Sequence, residues 1–401
     1  MVREAAANPA VSATVVSMRL NPVLEALAPD PISLVRARVR RLQAAGRKAI
    51  DFTVGDPREP TPSFIPATLR SGIAEVSQYP LTTGRTELRI AIAEYIQRRF
   101  GVRVDPETEV IPTSGSKEAI FSTPNVFVDP AGDDVVVYPS PSYPVYEWGA
   151  RFAGATPAPV VCSGDFVMRA ADIDQATWNR AKIVWSCSPH NPTGSVTGVD
   201  DYRELIDRCR EVDAMFFADE CYVDLYEDAV YPQGPPSALQ VAGDGLRNVV
   251  VFLSLSKRSG MTGYRCGVVV GDAAAIEAIV KFRRSTGTAS PDFVQLAGAA
   301  AWADDDHVAK RRKIFSDKRI VISKAFADAG FPTVASEAGL YLWVNVADDL
   351  AVSDRLLEAG VVVTPGRFFG AGGEGHIRVA LVPTLDECRS AVEVISQCLS
   401  Q

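Results

Sequence analysis

A chain of 401 residues exceeds what one minimal core needs and suits a large domain joined to a smaller one. Hydrophobic residues make up 47% and charged residues 22%, ordinary for a globular enzyme, and the formal charge of -8 excludes general nucleic-acid binding, which needs a basic surface. The longest apolar runs, such as "VVVFL" at 249–253, fall far short of a membrane span, so no membrane partner is expected.

The start, "MVREAAANPAVSATVV", has no basic segment followed by an adequate apolar stretch, and residues 1–16 read as a mobile tail rather than a signal peptide. Residues 17–50 form an N-terminal arm with an Arg-rich helix around 33–44, expected to pack on the smaller domain. From about 110 to 270, short apolar runs alternate with helical patterns. The runs are "EVIPT" (109–113), "DDVVVYP" (133–139), "TPAPVVC" (156–162), "KIVWSC" (182–187), "AMFFADE" (214–220), "NVVVFLSLS" (248–256) and "RCGVVVG" (265–271). They are rich in Val, Ile and Phe and barely alternate, as strands buried on both faces do. This rhythm predicts an α/β fold with a mostly parallel, doubly wound sheet over 51–285. Beyond 286 the texture changes to a long helical pattern at 306–328, strands "LYLWVNV" and "HIRVALV", and a final helix opened by a capping box of Thr384 and Glu387. Residues 286–401 therefore read as a small α+β domain.

The seven cysteines include no C-x-x-C pair, and His190, His307 and His376 are scattered. Neither a disulfide framework nor a metal site is expected, and a reducing cytoplasm is the simplest location.

In open α/β sheets ligands bind beyond the carboxyl ends of the strands, so chemistry is sought there. After 113, Gly115 permits a tight turn, and Ser116 and Lys117 open a helix whose free N–H groups suit a phosphate. After 139, Tyr143 and Tyr146 offer an aromatic face. After 187, the string Asn191-Pro192-Thr193-Gly194 fixes a loop and points an amide. At 219–220 an acidic pair follows four apolar residues, but no G-x-x-x-x-G-K-[ST] exists to make it a nucleotide-magnesium site, and no G-x-G-x-x-G marks a dinucleotide site. The run 249–256 leads straight to Lys257, a desolvated amine suited to Schiff-base chemistry, with Ser254, Ser256 and Arg265 around it as phosphate donors. Phosphate donors, an aromatic platform, an asparagine, an aspartate and a lysine converging on one sheet edge are the groups a protein places around pyridoxal phosphate.

Taken as a set, "GSKEAI", "PSYPVY", "NPTG", "DECY", "SLSKRSGMTGYRCG" and "HIRVA" resemble the class I/II aminotransferases, fold-type I pyridoxal-phosphate enzymes, over nearly the whole chain from about Asn21. The resemblance implies an aspartate-aminotransferase-like fold with pyridoxal 5'-phosphate as cofactor. Lys257 would carry the cofactor and shuttle the substrate proton, and Asp219 would pair with the ring nitrogen. Asn191 and Tyr222 would bond the ring's phenolic oxygen, and Tyr143 would stack on the ring. Gly115, Ser116, Lys117, Ser254, Ser256 and Arg265 would surround the phosphate. Tyr79 would reach the phosphate of a neighbouring subunit, which implies a homodimer. Arg378 would clamp the substrate α-carboxylate, and Gly55 would border the substrate.

Within the family, "YPVYEWGARFA", "DECYVDLYE" and "EAGLYLW" look most like N-succinyl-diaminopimelate aminotransferases, which use glutamate and N-succinyl-2-amino-6-oxopimelate. The segment after Arg284, "STGTASPD", departs from that pattern and leaves the side-chain specificity open. A lyase or cyclase of a specialised amino-acid pathway, or a cofactor-binding sensor, are the alternative readings. Arg258, Arg283 and Arg284 read as solvated or inter-subunit charges, Glu220 as a structural partner, His190 as a loop residue, and Cys187, Cys221 and Cys266 as packing residues.

Overall fold

A computed structural model of the chain describes residues 18–27, 31–44 and 46–399. The expected tail at 1–16 lies outside them. The strands, in chain order, are β1 (Ile50–Asp51), β2 (Val110–Thr113), β3 (Val135–Ser140), β4 (Thr156–Val161), β5 (Ala181–Cys187), β6 (Met215–Asp219), β7 (Val249–Ser254), β8 (Gly267–Gly271), β9 (Thr333–Val334), β10 (Tyr341–Asn345), β11 (Val361–Val362), β12 (Thr364–Pro365) and β13 (His376–Ala380).

Strands β2 to β8 form one seven-stranded sheet in the order β2-β8-β7-β6-β5-β3-β4. Only β8 runs antiparallel to its neighbours, β2 and β7. Alternate residues sort to two cores. Val135, Val137, Val184, Phe216, Val249 and Val251 face one side, and Val136, Ile183, Trp185, Phe217, Val250 and Phe252 face the other. This is why the runs read as continuously apolar: a strand covered on both faces has no polar side to show. Edge strand β4 accommodates Pro157 and Pro159, and the opposite edge strand β2 holds Pro112, because an outer strand needs fewer ladder donors.

A second sheet, β12-β13-β10-β9, is antiparallel throughout. It shares a core with the helices Asp306–Asp328, Asp349–Ala359 and Leu385–Leu399, through Phe315, Ile322, Phe326, Leu356, Cys388 and Ile395. The last helix starts as its capping box dictates: Glu387 N donates to Thr384 Oγ1 at 3.3 Å and Thr384 N to Glu387 Oε2 at 2.8 Å. Val35 and Val39 of the arm helix Pro31–Ala44 pack on Leu357 and Val362, and β1 pairs with β11. The helix Asp292–Ala303, beyond the expected change at 286, still packs with the seven-stranded sheet through Val294, Ala297, Ala301 and Trp302.

Candidate active site

The register of the large sheet brings the chemistry to one edge. Thr113 pairs with Gly267, Gly267 with Ser254, and Cys187 with Asp219. The carboxyl ends of β2, β5, β6 and β7 and the amino end of β8 therefore lie side by side. Beyond them opens a cavity of about 430 Å³, within the usual range for a small-molecule site. Gly55, Ser116, Lys117, Tyr143, Asn191, Asp219, Tyr222, Ser254, Ser256, Lys257, Arg265 and Arg378 all line it. These residues are spread over more than 300 positions of sequence, and only the fold unites them.

Lys257 sits differently from the straight strand end read from sequence. Strand β7 stops at Ser254, and Leu255–Arg258 make a single helical turn. Ser254 caps that turn, its Oγ accepting from Ser256 N at 3.1 Å. A serine hydroxyl competes with the sheet ladder for backbone N–H groups, which ends the strand two residues early. The amine Nζ donates to the carbonyl oxygen of Gly55. Burial pulls its pKa from the usual 10.5 down to about 8; Asp56 and Cys221 oppose that shift, while Arg265 and Arg378 add to it.

Asp219 is 4% exposed. Its Oδ2 accepts from the Tyr146 hydroxyl at 2.8 Å and its Oδ1 from Cys221 N at 3.2 Å. Burial raises its pKa against those donors. Tyr222 and Tyr341 share a hydroxyl–hydroxyl bond of 3.0 Å. Arg378, 3% exposed, donates from Nη1 to Asn191 Oδ1 at 2.7 Å and from Nη2 to the Thr53 carbonyl. Its guanidinium lies 4.5 Å from the Tyr341 ring centroid and 4.4 Å from that of Phe369. Its Nε has no partner among the described residues. Burial lowers the Arg378 pKa, partly offset by Tyr341 and Tyr222.

A third corner gathers Ser116, Ser254, Ser256 and Arg265. Arg265 takes a left-handed φ of 56°, and its Nη1 donates to Thr262 O at 3.0 Å. Gly115 adjoins it at φ 84°. A Cβ there would come 2.7 Å from Arg265 Cζ, so the turn needs glycine both for its backbone and for the space the guanidinium takes. Lys117 Nζ stands 5.6 Å from the Tyr143 ring centroid.

Tyr79 is fully exposed and Gly115 stands behind Arg265; neither lines the cavity. Sequence reasoning missed Asp56, Trp148, Tyr341 and Phe369, which do. Tyr341 lay in "EAGLYLW" and read only as strand; its role depends on facing Tyr222, 119 positions away. Three sequence expectations are corrected. Arg258 and Arg283 are buried, not solvated: Arg283 pairs with Glu118 at 2.7 Å and Arg258 with Asp224 at 2.9 Å. Cys221 does more than pack, because it lines the cavity.

An amine, a carboxylate, an anion corner and a buried arginine at the carboxyl edge of such a sheet define the site of a cofactor-dependent group-transfer enzyme. The chain belongs to the family described as aminotransferase class I and II, whose model matches residues 47–395. An LL-diaminopimelate aminotransferase of Aquifex aeolicus (strain VF5) is 35% identical over 360 residues, covering 87% of this chain and 91% of that protein. An aminotransferase from Neisseria meningitidis Z2491 superposes with a TM-score of 0.88 at 33% identity, over 95% of this chain and all of that one. A probable N-succinyldiaminopimelate aminotransferase of Thermus thermophilus gives 0.85 at 26% identity, over 92% of this chain and 100% of its own. The fold is aspartate-aminotransferase-like, and the enzyme is a transaminase dependent on pyridoxal 5'-phosphate.

The residues fit that cofactor. The lining carries the basic groups Lys117, Lys257, Arg265 and Arg378 against the carboxylates Asp56 and Asp219, an excess that suits a phosphate and a substrate carboxylate. Among the described residues no cation lies within ion-pair distance of buried Asp219, whose contacts are the neutral donors of Tyr146 and Cys221. A protonated ring nitrogen would supply the missing positive charge. Among the described residues no cluster of metal-binding side chains occurs, and no helix is long and apolar enough to cross a membrane.

Proposed function

We propose that this enzyme moves an amino group from L-glutamate to a 2-oxo acid or aldehyde acceptor such as N-succinyl-2-amino-6-oxopimelate, as a cytoplasmic homodimer. The observation that carries the reading is Arg378: a buried guanidinium, held from Asn191 and Thr53, on the wall of the cavity that Lys257 also lines. A fork of that kind selects a carboxylate on the substrate. The diaminopimelate reading leans on the names of the Aquifex and Thermus relatives.

Pyridoxal phosphate, when bound, supplies an electron sink for the charge released at the substrate α-carbon. The chain's own groups divide the remaining work. Lys257 Nζ would hold the cofactor and, once free of it, take and return the α-proton. A pKa near 8 rather than 10.5 raises its neutral fraction at pH 7 by roughly three-hundredfold. Asp219 keeps a proton on the ring nitrogen, since a buried carboxylate without a counter-ion favours a cation beside it. Tyr143 would cover one face of the cofactor ring, and Asn191 and Tyr222 would bond its phenolic oxygen. Ser116, Ser254, Ser256 and Arg265, with the Lys117 backbone and the Gly115 turn, hold the phosphate. Gly55 borders the substrate, and exposed Tyr79 reaches the partner subunit's phosphate corner.

The test is a visible spectrum of the purified holoenzyme before and after L-glutamate, with 2-oxoglutarate assayed in the mixture. Conversion of the lysine-linked band to the pyridoxamine form with release of 2-oxoglutarate is the expected result. A band that persists without oxo acid refutes glutamate as donor. Turnover with N-succinyl-2-amino-6-oxopimelate no faster than with short oxo acids refutes the acceptor.

A further inference from the structure

Two residues next to the proposed catalytic groups are joined out of sight of the cavity. Arg258 follows Lys257 directly, and Asp224 stands two residues beyond Tyr222 and five beyond Asp219. Arg258 is 3% exposed. Its Nε meets Asp224 Oδ2 at 2.9 Å, its Nη1 donates to Ala301 O at 2.6 Å, and its Nη2 meets Asp305 Oδ1 at 2.7 Å. The guanidinium lies against two touching rings, Tyr95 at 4.8 Å and Trp302 at 5.1 Å, whose own centroids are 4.6 Å apart. Asp224 also accepts from the Tyr95 hydroxyl at 2.7 Å and from Arg99 Nε at 3.1 Å. Ser259, next along, meets His307 Nε2 at 2.8 Å, and His307 Nδ1 meets Asp304 at 2.6 Å.

Neither Arg258 nor Asp224 lines the cavity. Burying this much charge is costly unless every group is paired, and here the pairing is extensive. The result is a bridge between the turn that presents Lys257 and the segment that continues from the end of β6, where Asp219 stands, through Tyr222.

We propose that Arg258 is a positioning residue, which through Asp224 fixes the Lys257 amine relative to Asp219 and Tyr222. The inference rests on the assignment of Lys257 above. Held in place, the amine stays desolvated and near Arg265 and Arg378, both of which oppose its protonation. Released, it can move off toward water, and its proton affinity rises.

The experiment follows by absorbance, as a function of pH, the rate at which the apo-protein forms the lysine-linked band with added pyridoxal phosphate in wild type, Arg258→Met and Arg258→Lys, with melting curves alongside. In Arg258→Met the midpoint is expected to rise by about one unit, and the cofactor to dissociate roughly tenfold faster. Arg258→Lys keeps a cation beside the two rings and is expected to fall between wild type and Arg258→Met; it serves as the folded variant if Arg258→Met does not fold. Ile322→Ala, a destabilising change in the core beside the second sheet at a residue that does not line the cavity, is expected to lower the melting temperature and leave the midpoint in place. A wild-type band that Lys257→Ala leaves intact overturns the Lys257 assignment and this inference with it. A genuine lysine-linked band with an unmoved midpoint in the folded Arg258 variants, or an equal shift in Ile322→Ala, overturns the positioning role alone.

Discussion

Replacing Arg378 with alanine is the most direct test of substrate recognition. The guanidinium is already desolvated, flanked by Tyr341 and Phe369 and oriented by Asn191 and the Thr53 carbonyl. A bound carboxylate thus meets donors that need little further ordering. Two charge-assisted hydrogen bonds are worth about 1.5–3 kcal/mol each, or about 3–6 kcal/mol together. That predicts a fall in kcat/KM for L-glutamate of roughly 10²- to 10⁴-fold. Arg378→Lys keeps the charge but loses the fork, so its loss should be about one bond's worth, roughly 10- to 10²-fold. The assay is the half-reaction rate with L-glutamate and with 4-aminobutyrate, the same amine without its α-carboxylate. Loss confined to glutamate supports the clamp. Equal losses on both amines, or a change below about threefold, would refute it. A melting curve separates this from the effect of leaving Asn191 Oδ1 and Thr53 O unpaired.

The remaining predictions concern the other walls of the site. Because burial disfavours the ammonium form, the rate at which apo-protein links pyridoxal phosphate should rise with pH through a midpoint near 8 and level off above it; a midpoint near 10.5 would show that the Lys257 amine is solvated. Lys257→Ala should abolish borohydride fixation of the cofactor and, through lost proton transfer alone, cut turnover by roughly 10²- to 10⁴-fold, and normal turnover would remove Lys257 from its role. Gly55→Ala places a Cβ on the Tyr341 hydroxyl, with the ring Cζ at 3.3 Å, so it should impair activity and be partly rescued by Tyr341→Phe; no rescue means the damage arises elsewhere. Mixing inactive Tyr79→Ala and Lys257→Ala subunits should restore activity in hybrid dimers, each of which holds one intact site, and sedimentation should show a dimer. Failure of complementation would place Tyr79 outside its partner's site.

The strand segments of the large sheet and the residues that gather beyond them were legible because parallel strands covered on both faces write continuous apolar runs, and because each run is followed by its polar residues. Thus the residues after β2, β5, β6 and β7 could be named from the sequence. Burial of charge could not be read in the same way. Arg258 looks like a surface residue in "SLSKRSG" and lies buried only because Asp224, 34 positions earlier, and two aromatic rings meet it. Tyr341 and Phe369 read as strand and loop, and become walls of the cavity only when the second sheet is brought against the first. The Lys257 turn was misread because a serine hydroxyl, not a change in hydrophobicity, ends β7.

The sequence by itself determined the fold class and which residues, Lys257 among them, follow the strands of the large sheet, since these follow from local runs and the residues that terminate them. Only the tertiary structure decided which charges are buried, which partner each one meets and how the amine is held. Desolvation and pairing depend on groups far apart in the chain, and no local pattern encodes that distance.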